Sequence, residues 1–317
     1  MSVIVPARDE EEHIGRCLES LLSLEYPRHR VEIVVVDNGS RDRTAEIARG
    51  TGVRVLELPQ GNIGAVRNHG VRGTTGAFLA FIDADCIAPD GWLNTAIALL
   101  SEDEGLGAVG GSCKAEESAT WVERAWDSGR SGSCTYVHGL ATGSMIISRR
   151  RFEEVGGFNE ALTAGEDYDL SARLRAMGLR LLLHPTCSVI HLGWPKNLGG
   201  VFRRELWHGS HQLELAHGLM TRTMISVHLF AVTLLVGLFW VFASGFSSAF
   251  PLLLLSVPLS LPAAAAWARS TAIAPRSARA RRMATLYPIF WSYYLGRSFG
   301  LLGNYGSLFG RWIRRSR

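Results

Sequence analysis

The acids stop at Glu214. All 29 Asp and Glu lie at or before that residue, and from Thr221 onward there are eleven Arg, no Lys and no acid. A net charge of +4 therefore conceals about −7 over residues 1–220 and +11 over the remainder. Two apolar stretches lie inside the basic part. Residues 225–243 are interrupted only by His228, and residues 249–268 carry no charge, although Pro251, Pro258 and Pro262 should bend them. Each approaches the ~20 residues needed to cross a bilayer. Two buried core helices would give a similar pattern. Against that stand the very short linker Ser244–Ser248 and the five Arg between Arg269 and Arg282, an arrangement suited to a hairpin with cytoplasmic ends. The last apolar stretch, about 284–313, is broken by Pro288 and Arg297 and has basic residues at both ends. It is expected to lie along the interface, with a third crossing as the alternative. The division predicts a head over 1–220 and a membrane-associated region over 221–317. It speaks against a nucleic-acid partner, because the net positive charge is confined to the apolar tail.

The head alternates strand and helix signals. Ser2–Pro6, Glu32–Val36, Val53–Leu58 and Ala77–Ile82 are short and largely apolar. Between them, Ile14, Cys17, Leu18, Leu21 and Leu22 recur at helical spacing, and Thr44–Arg49 and Asn62–Gly70 also suit helices. Apolar strands alternating with helices predict an α/β fold with a mostly parallel, Rossmann-like sheet flanked by helices. Further on, Ala141–Ser148, Leu179–Leu183 and Ser188–His191 suit strands. Arg149–Val155, Tyr168–Met177 and Phe202–Leu219 suit helices. Five cysteines with no C-x-x-C pair make neither a disulfide framework nor a zinc site. The acidic Asp9–Glu12 follows the first strand at once, unlike a secretory leader, so the head is expected in the cytoplasm.

Ligands of such sheets bind beyond the carboxyl ends of the strands. Asp37 and the pair Asp83-Ala-Asp85 stand at those ends. Two carboxylates one residue apart can share a divalent cation, Mn²⁺ or Mg²⁺, with a diphosphate. The same pair also suits an ordinary strand-to-turn junction. Asp37 could accept hydrogen bonds from a base or ribose, or serve the turn Asn38-Gly39. No G-x-G-x-x-G precedes Asp37 and no P-loop occurs anywhere, which disfavours dinucleotide oxidoreductases and P-loop ATPases. Glu166, Asp167 and Asp169 open a helix, and three acids in four residues exceed what capping needs. One of them could act as a general base. His191 could ligate the metal if it faces the acids, and Arg67 could contact phosphates.

Taken in order, Ser2-Val-Ile-Val-Pro-Ala7, Val35-Val-Asp37-Asn-Gly-Ser40, Ala65-Val-Arg-Asn-His-Gly70, Phe81-Ile-Asp-Ala-Asp85, Val155-Gly-Gly-Phe158 and Gly165-Glu-Asp167 resemble the family-2 glycosyltransferases of the GT-A fold. The resemblance covers about residues 1–220. It implies inverting transfer from a nucleoside-diphosphate sugar, UDP by default, to a hydroxyl of a lipid-linked or glycan acceptor at the inner (cytoplasmic) membrane. Pro6, Ala7, Glu10, Asp37, Arg67, Asp83 and Asp85 would bind the nucleotide-sugar. Asp83, Asp85 and His191 would hold the metal. Asp167 would be the base, and Glu166 would orient the acceptor. Two departures stand out. Ser144 replaces an Asn common in the family, and the nearest match to its processive Q-x-x-R-W motif is Phe202-Arg-Arg-Glu-Leu-Trp207, which speaks against long-chain polymerisation. Transfer to polyprenyl phosphate and a non-catalytic membrane scaffold are the competing readings.

Overall fold

The computed structural model describes residues 1–127, 133–215, 222–244, 250–273 and 276–315. Two compact units emerge, the first made of Met1–Glu117 and Asp127–Trp194, the second of Ser118–Trp126 and Pro195–Arg317.

The first unit opens with β1 (Ser2–Ala7), α1 (Ile14–Ser23), β2 (Glu32–Asp37), α2 (Thr44–Gly50), β3 (Arg54–Glu57), α3 (Ile63–Arg72) and β4 (Phe78–Phe81). It continues through β5 (Cys86–Ile87), α4 (Trp92–Glu102), β6 (Leu106–Gly110) and β7 (Cys113–Lys114). The chain then enters the second unit for α5 (Trp121–Trp126). On its return it forms β8 (Thr135–Val137), β9 (Met145–Ser148), α6 (Arg149–Glu154), α7 (Glu166–Ala176), β10 (Arg180–Leu183) and β11 (Val189–His191). Eight strands form one sheet in the order β3-β2-β1-β4-β9-β6-β10-β8, and β5-β11-β7 form a second, small sheet. The β1–β2, β1–β4, β2–β3 and β6–β10 pairs are parallel, while β9 runs antiparallel to both its neighbours.

The continuous apolar runs have a direct physical use, because side chains alternate across a strand and both faces of this sheet are covered. Val3 and Val5 of β1, Val35 of β2 and Ala80 of β4 join one core with Ile14, Cys17, Leu18 and Leu21 of α1 and Trp92 of α4. Ile4, Val34, Val36, Leu79 and Phe81 enter the opposite core with Val66 of α3 and Leu170 and Leu174 of α7. Each fully buried Val, Leu or Ile contributes roughly 1.5–3 kcal/mol, so the three-layer arrangement is fixed from both sides. β1 and β2 finish together, with Ala7 paired to Asp37, while β4 ends three residues earlier, at Phe81 opposite Ile4, and leads on to Asp83 and Asp85.

In the second unit, α8 (Leu198–Leu215) packs along α11 (Arg279–Arg315), beside α9 (Arg222–Ser244) and α10 (Phe250–Ile273). Helix α8, expected from sequence at 202–219 as part of the head, thus packs with the C-terminal helices. Two backbones meet closely here, for a Cβ on Gly300 would strike the Leu206 carbonyl oxygen. The buried Glu205 accepts from Arg297 Nε at 2.6 Å across the same contact. Thr223–Ala243 and Phe250–Thr271 are long and apolar enough to cross a membrane, with only 28% and 22% of these stretches buried. Pro251 sits in the first turn of α10, where its missing N–H costs nothing, while Pro258 and Pro262 lie inside the helix. The linker expected at Ser244–Ser248 and the expected boundary at 220/221 lie outside the described residues, save Ser244 at the end of α9.

Candidate active site

Two of the expected acids, Asp83 and Glu166, meet on one buried arginine. Arg67, on α3, has a side chain only 4% exposed. Its Nη2 donates to Asp83 Oδ1 at 2.8 Å, just beyond β4, and its Nη1 to Glu166 Oε1 at 2.5 Å, at the start of α7. Burying a guanidinium is unfavourable unless it is paired and hydrogen-bonded, and here two carboxylates supply that pairing. Its third nitrogen, Nε, is buried and has no partner among the described residues.

The three acids at the start of α7 have separate fates. Glu166 is bound by Arg67. Asp169 accepts from Arg173 Nε and Nη2 at 2.9 and 2.6 Å, a pair one helical turn apart. Asp167 accepts one hydrogen bond, from the Tyr168 N–H at 2.8 Å. Burial and the neighbouring Glu166 push its pKa up to about 6, while the Tyr168 N–H and Arg67 oppose the rise. A carboxylate so poised can exchange a proton near neutral pH.

Asp85 Oδ2 lies 3.4 Å from His191 Nε2, and each side chain is 16% exposed. Burial raises the Asp85 pKa, with His191 opposing and Asp83 adding to the rise. The ring of His191 stacks on Trp194 at 5.4 Å. Between them Gly193 passes so close that a Cβ there would collide with Asp85 Oδ2. A carboxylate and an imidazole converging in this way suit a divalent cation such as Mn²⁺. Glu10 accompanies them. Its pKa is raised first by burial and then by Asp85, and its carboxylate pairs with His13 Nδ1 at 3.0 Å.

Asp37 ends β2, and its Oδ2 accepts from the Ser40 N–H at 3.3 Å. Its Oδ1 is buried with no partner among the described residues, an acceptor left for something outside the chain. Pro6 and Ala7 end β1 and are buried. Asn38 donates to the Leu58 carbonyl at 2.8 Å and its N–H to the Ala7 carbonyl at 2.9 Å, which ties the loop to the sheet edge. The expected residues therefore form a linked group of Arg67, Asp83 and Glu166 with Asp167, and an adjacent pair of Asp85 and His191 near Glu10. Asp37, Pro6 and Ala7 stand along the same sheet edge without direct bonds to either group.

Sequence reasoning passed over Gly193 and Trp194, although their place directly after His191 was a usable signal. Ser144 is spent on the core, for its hydroxyl accepts from Trp92 Nε1 at 3.0 Å and donates to the Cys187 carbonyl at 2.5 Å. All five cysteines are free. A cavity of about 670 Å³ opens between α3 and α6, but its charged lining includes none of the site acids.

Comparison with known proteins bears on this geometry. A family model described as Glycosyl transferase family 2 matches residues 2–156. Glycosyltransferase AglE of Haloferax volcanii is 31% identical over 228 residues, which is 68% of this chain and 73% of that protein. A pre-mycofactocin glycosyltransferase of Mycobacterium tuberculosis is 26% identical over 208 residues, covering 60% of this chain and 42% of that protein. Among solved structures, the mannosyltransferase PcManGT from Pyrobaculum calidifontis, in complex with GDP-Man and Mn²⁺, superposes with a TM-score of 0.58 at 19% identity, covering 96% and 86% of the two chains. GalNAc-T7 with UDP, GalNAc and Mn²⁺ gives 0.50 at 18% identity, covering 68% and 51%. These two likenesses show the GT-A fold.

Proposed function

This chain belongs to glycosyl transferase family 2, and from that premise we propose that it is an inverting, membrane-held enzyme. It moves a sugar from a nucleoside-diphosphate sugar, a UDP-sugar in the first instance, to a hydroxyl of a lipid-linked or glycan acceptor. The observation that carries the reading is the sorting of acids on α7. Glu166 and Asp169 are consumed by arginines, and Asp167 is left with its pKa near 6 beside the acid-rich sheet edge.

In this mechanism Asp167 takes the proton of the acceptor hydroxyl. The acceptor oxygen bonds to the anomeric carbon as the bond from that carbon to the diphosphate breaks on the opposite side, which inverts the centre. Glu166, fixed by Arg67, orients the acceptor. Asp37 Oδ1 accepts a hydrogen bond from the nucleoside, in a pocket shaped by Pro6, Ala7 and Glu10. Arg67 serves the nucleotide side by fixing Asp83. Asp83, Asp85 and His191 would hold Mn²⁺ or Mg²⁺, which when bound offsets the charge developing on the diphosphate. The solved neighbours of this fold carry GDP-Man or UDP together with Mn²⁺, which supports a cation-assisted donor site. Helices α9 and α10 serve as two crossings of the inner membrane, with the catalytic unit in the cytoplasm and α11 along the interface.

Titrating the detergent-purified chain with UDP, with and without Mn²⁺, tests the donor site. Cation-dependent binding that Asp85→Asn abolishes is expected. If UDP, GDP and dTDP all fail to bind the wild type with cation present, the donor-site reading falls and the scaffold reading replaces it. Full turnover by Asp167→Asn would instead point to an acceptor that is already ionised, such as polyprenyl phosphate.

A further inference from the structure

The small sheet brings sulfur to a site read so far as oxygen and nitrogen. In the antiparallel β5–β11 pair, Cys86 stands opposite His191, so both side chains leave the same face. Cys113 of β7 pairs with Val189, two residues before His191, and so belongs to that face as well. Cys86 Sγ lies 3.7 Å from Asp85 Oδ1, and Asp85 Oδ2 lies 3.4 Å from His191 Nε2. One ligand atom from each of Asp85, Cys86 and His191 falls within 4.8 Å of the other two. In a tetrahedral site with bonds of about 2.0–2.3 Å, neighbouring ligand atoms stand about 3.3–3.7 Å apart. The thiol and the imidazole each stand near that spacing from one oxygen of Asp85, and a contraction from within 4.8 Å closes the set.

We propose that Asp85, Cys86 and His191 form a thiophilic metal site that takes an ion of the Zn²⁺ class without nucleotide and in competition with the donor's cation. The donor chemistry distinguishes the two uses. Mg²⁺ is bound by one or two carboxylates plus substrate phosphates and has no use for sulfur. A borderline-soft ion finds three protein ligands here, of the kinds it prefers, and needs only one more from solvent. On binding, the Cys86 thiol releases its proton to solvent as the sulfur–metal bond forms, and no group is oxidised or reduced. Cys86 is fully buried, so the ion enters past the partly exposed Asp85 and His191. Bound in this way it occupies both residues, and the cation-dependent binding of UDP is lost. Only this last consequence rests on the proposed function.

The test is a titration of the reduced, detergent-purified chain with Cd²⁺ and with Co²⁺, without nucleotide, in a Cys134→Ser background that removes the exposed thiol. Ligand-to-metal charge-transfer absorption is followed. The expected result is a thiolate band that saturates near one ion per chain, disappears in Cys86→Ser and is weakened in His191→Ala. Affinity should fall more than about tenfold in Cys86→Ser, the scale already associated with losing only an outer partner of a metal ligand. Binding of UDP with Mn²⁺ is measured in parallel, and Zn²⁺ should suppress it in the Cys134→Ser background but not after Cys86→Ser. Absence of the band, or its survival in Cys86→Ser, overturns the proposal. If UDP fails to bind at all, the donor reading falls, while the band still decides the thiolate site.

Discussion

Arg67 and Glu166 are 99 residues apart in the chain and 2.5 Å apart in the fold. The same guanidinium reaches Asp83, so one side chain joins the acids after β4 to those that open α7. Removing one partner of a buried pair typically costs about 3–5 kcal/mol, because the other charge is left without compensation. Arg67→Gln should therefore lower the melting temperature sharply. Adding Glu166→Gln to it should restore part of the loss, since one of the two stranded charges is gone. Thermal melts of the two single variants and the double variant measure this coupling, and simple additivity would show that the bond carries no net energy.

Asp167 should trade stability for rate. Its folded pKa, about 6, lies above the ordinary carboxylate value. Stability from this group is then fully present below the unfolded pKa, near 4, and is lost as pH rises through about 6. At pH 7.5 Asp167→Asn should melt higher than wild type, and the advantage should vanish toward pH 4. Its transfer rate should fall by about 10²–10⁴, the usual range for losing a positioned base. The wild-type rate should climb with pH through about 6 and then level off. Melts and initial rates between pH 4.5 and 8 follow both effects.

Much of this was legible along the chain, and the reason is local. β1, β2 and β4 are uninterrupted apolar runs, so their positions and the acids that end them could be read directly. The central strand β6, Leu106–Gly110, gave no such signal. Two of its five residues are glycine, and its strand character comes from β9 and β10 on either side. The burial of Arg67 could not be read from α3 alone, because only the arrival of Asp83 and Glu166 from distant segments makes it tolerable. Cys86 was invisible for the same reason, since its pairing with His191 spans more than a hundred residues.

Gly193→Ala tests how tightly the Asp85–His191 pair is built. The added methyl group would drive into the Asp85 carboxylate, which His191 and the surrounding chain hold in place. UDP binding in the presence of Mn²⁺ should weaken by at least about tenfold, as when a metal ligand loses the shell that orients it. Unchanged affinity would mean that Asp85 can swing aside and still serve.

In the second unit the corresponding close contact is Gly300 against the Leu206 carbonyl. Gly300→Leu should force α8 and α11 apart and weaken the Glu205–Arg297 bond between them. Overpacking of this kind costs typically about 1–3 kcal/mol. A lower melting temperature in detergent is expected, and a melt like that of wild type would show that the helices can slide without penalty.

Helix α5 sits in the middle of the catalytic sequence yet belongs to the other unit. Val122 and Ala125 share their core with Val201, Ala266, Leu286 and Ile289. No single cut can therefore release a clean water-soluble enzyme. Ending the chain at Trp194 would strand Ser118–Trp126 as a greasy flap, and the isolated head would be expected to clump. A workable soluble version has to lose that loop along with the tail. By the same reasoning, moving this tail onto another head means transplanting two separate pieces of sequence together.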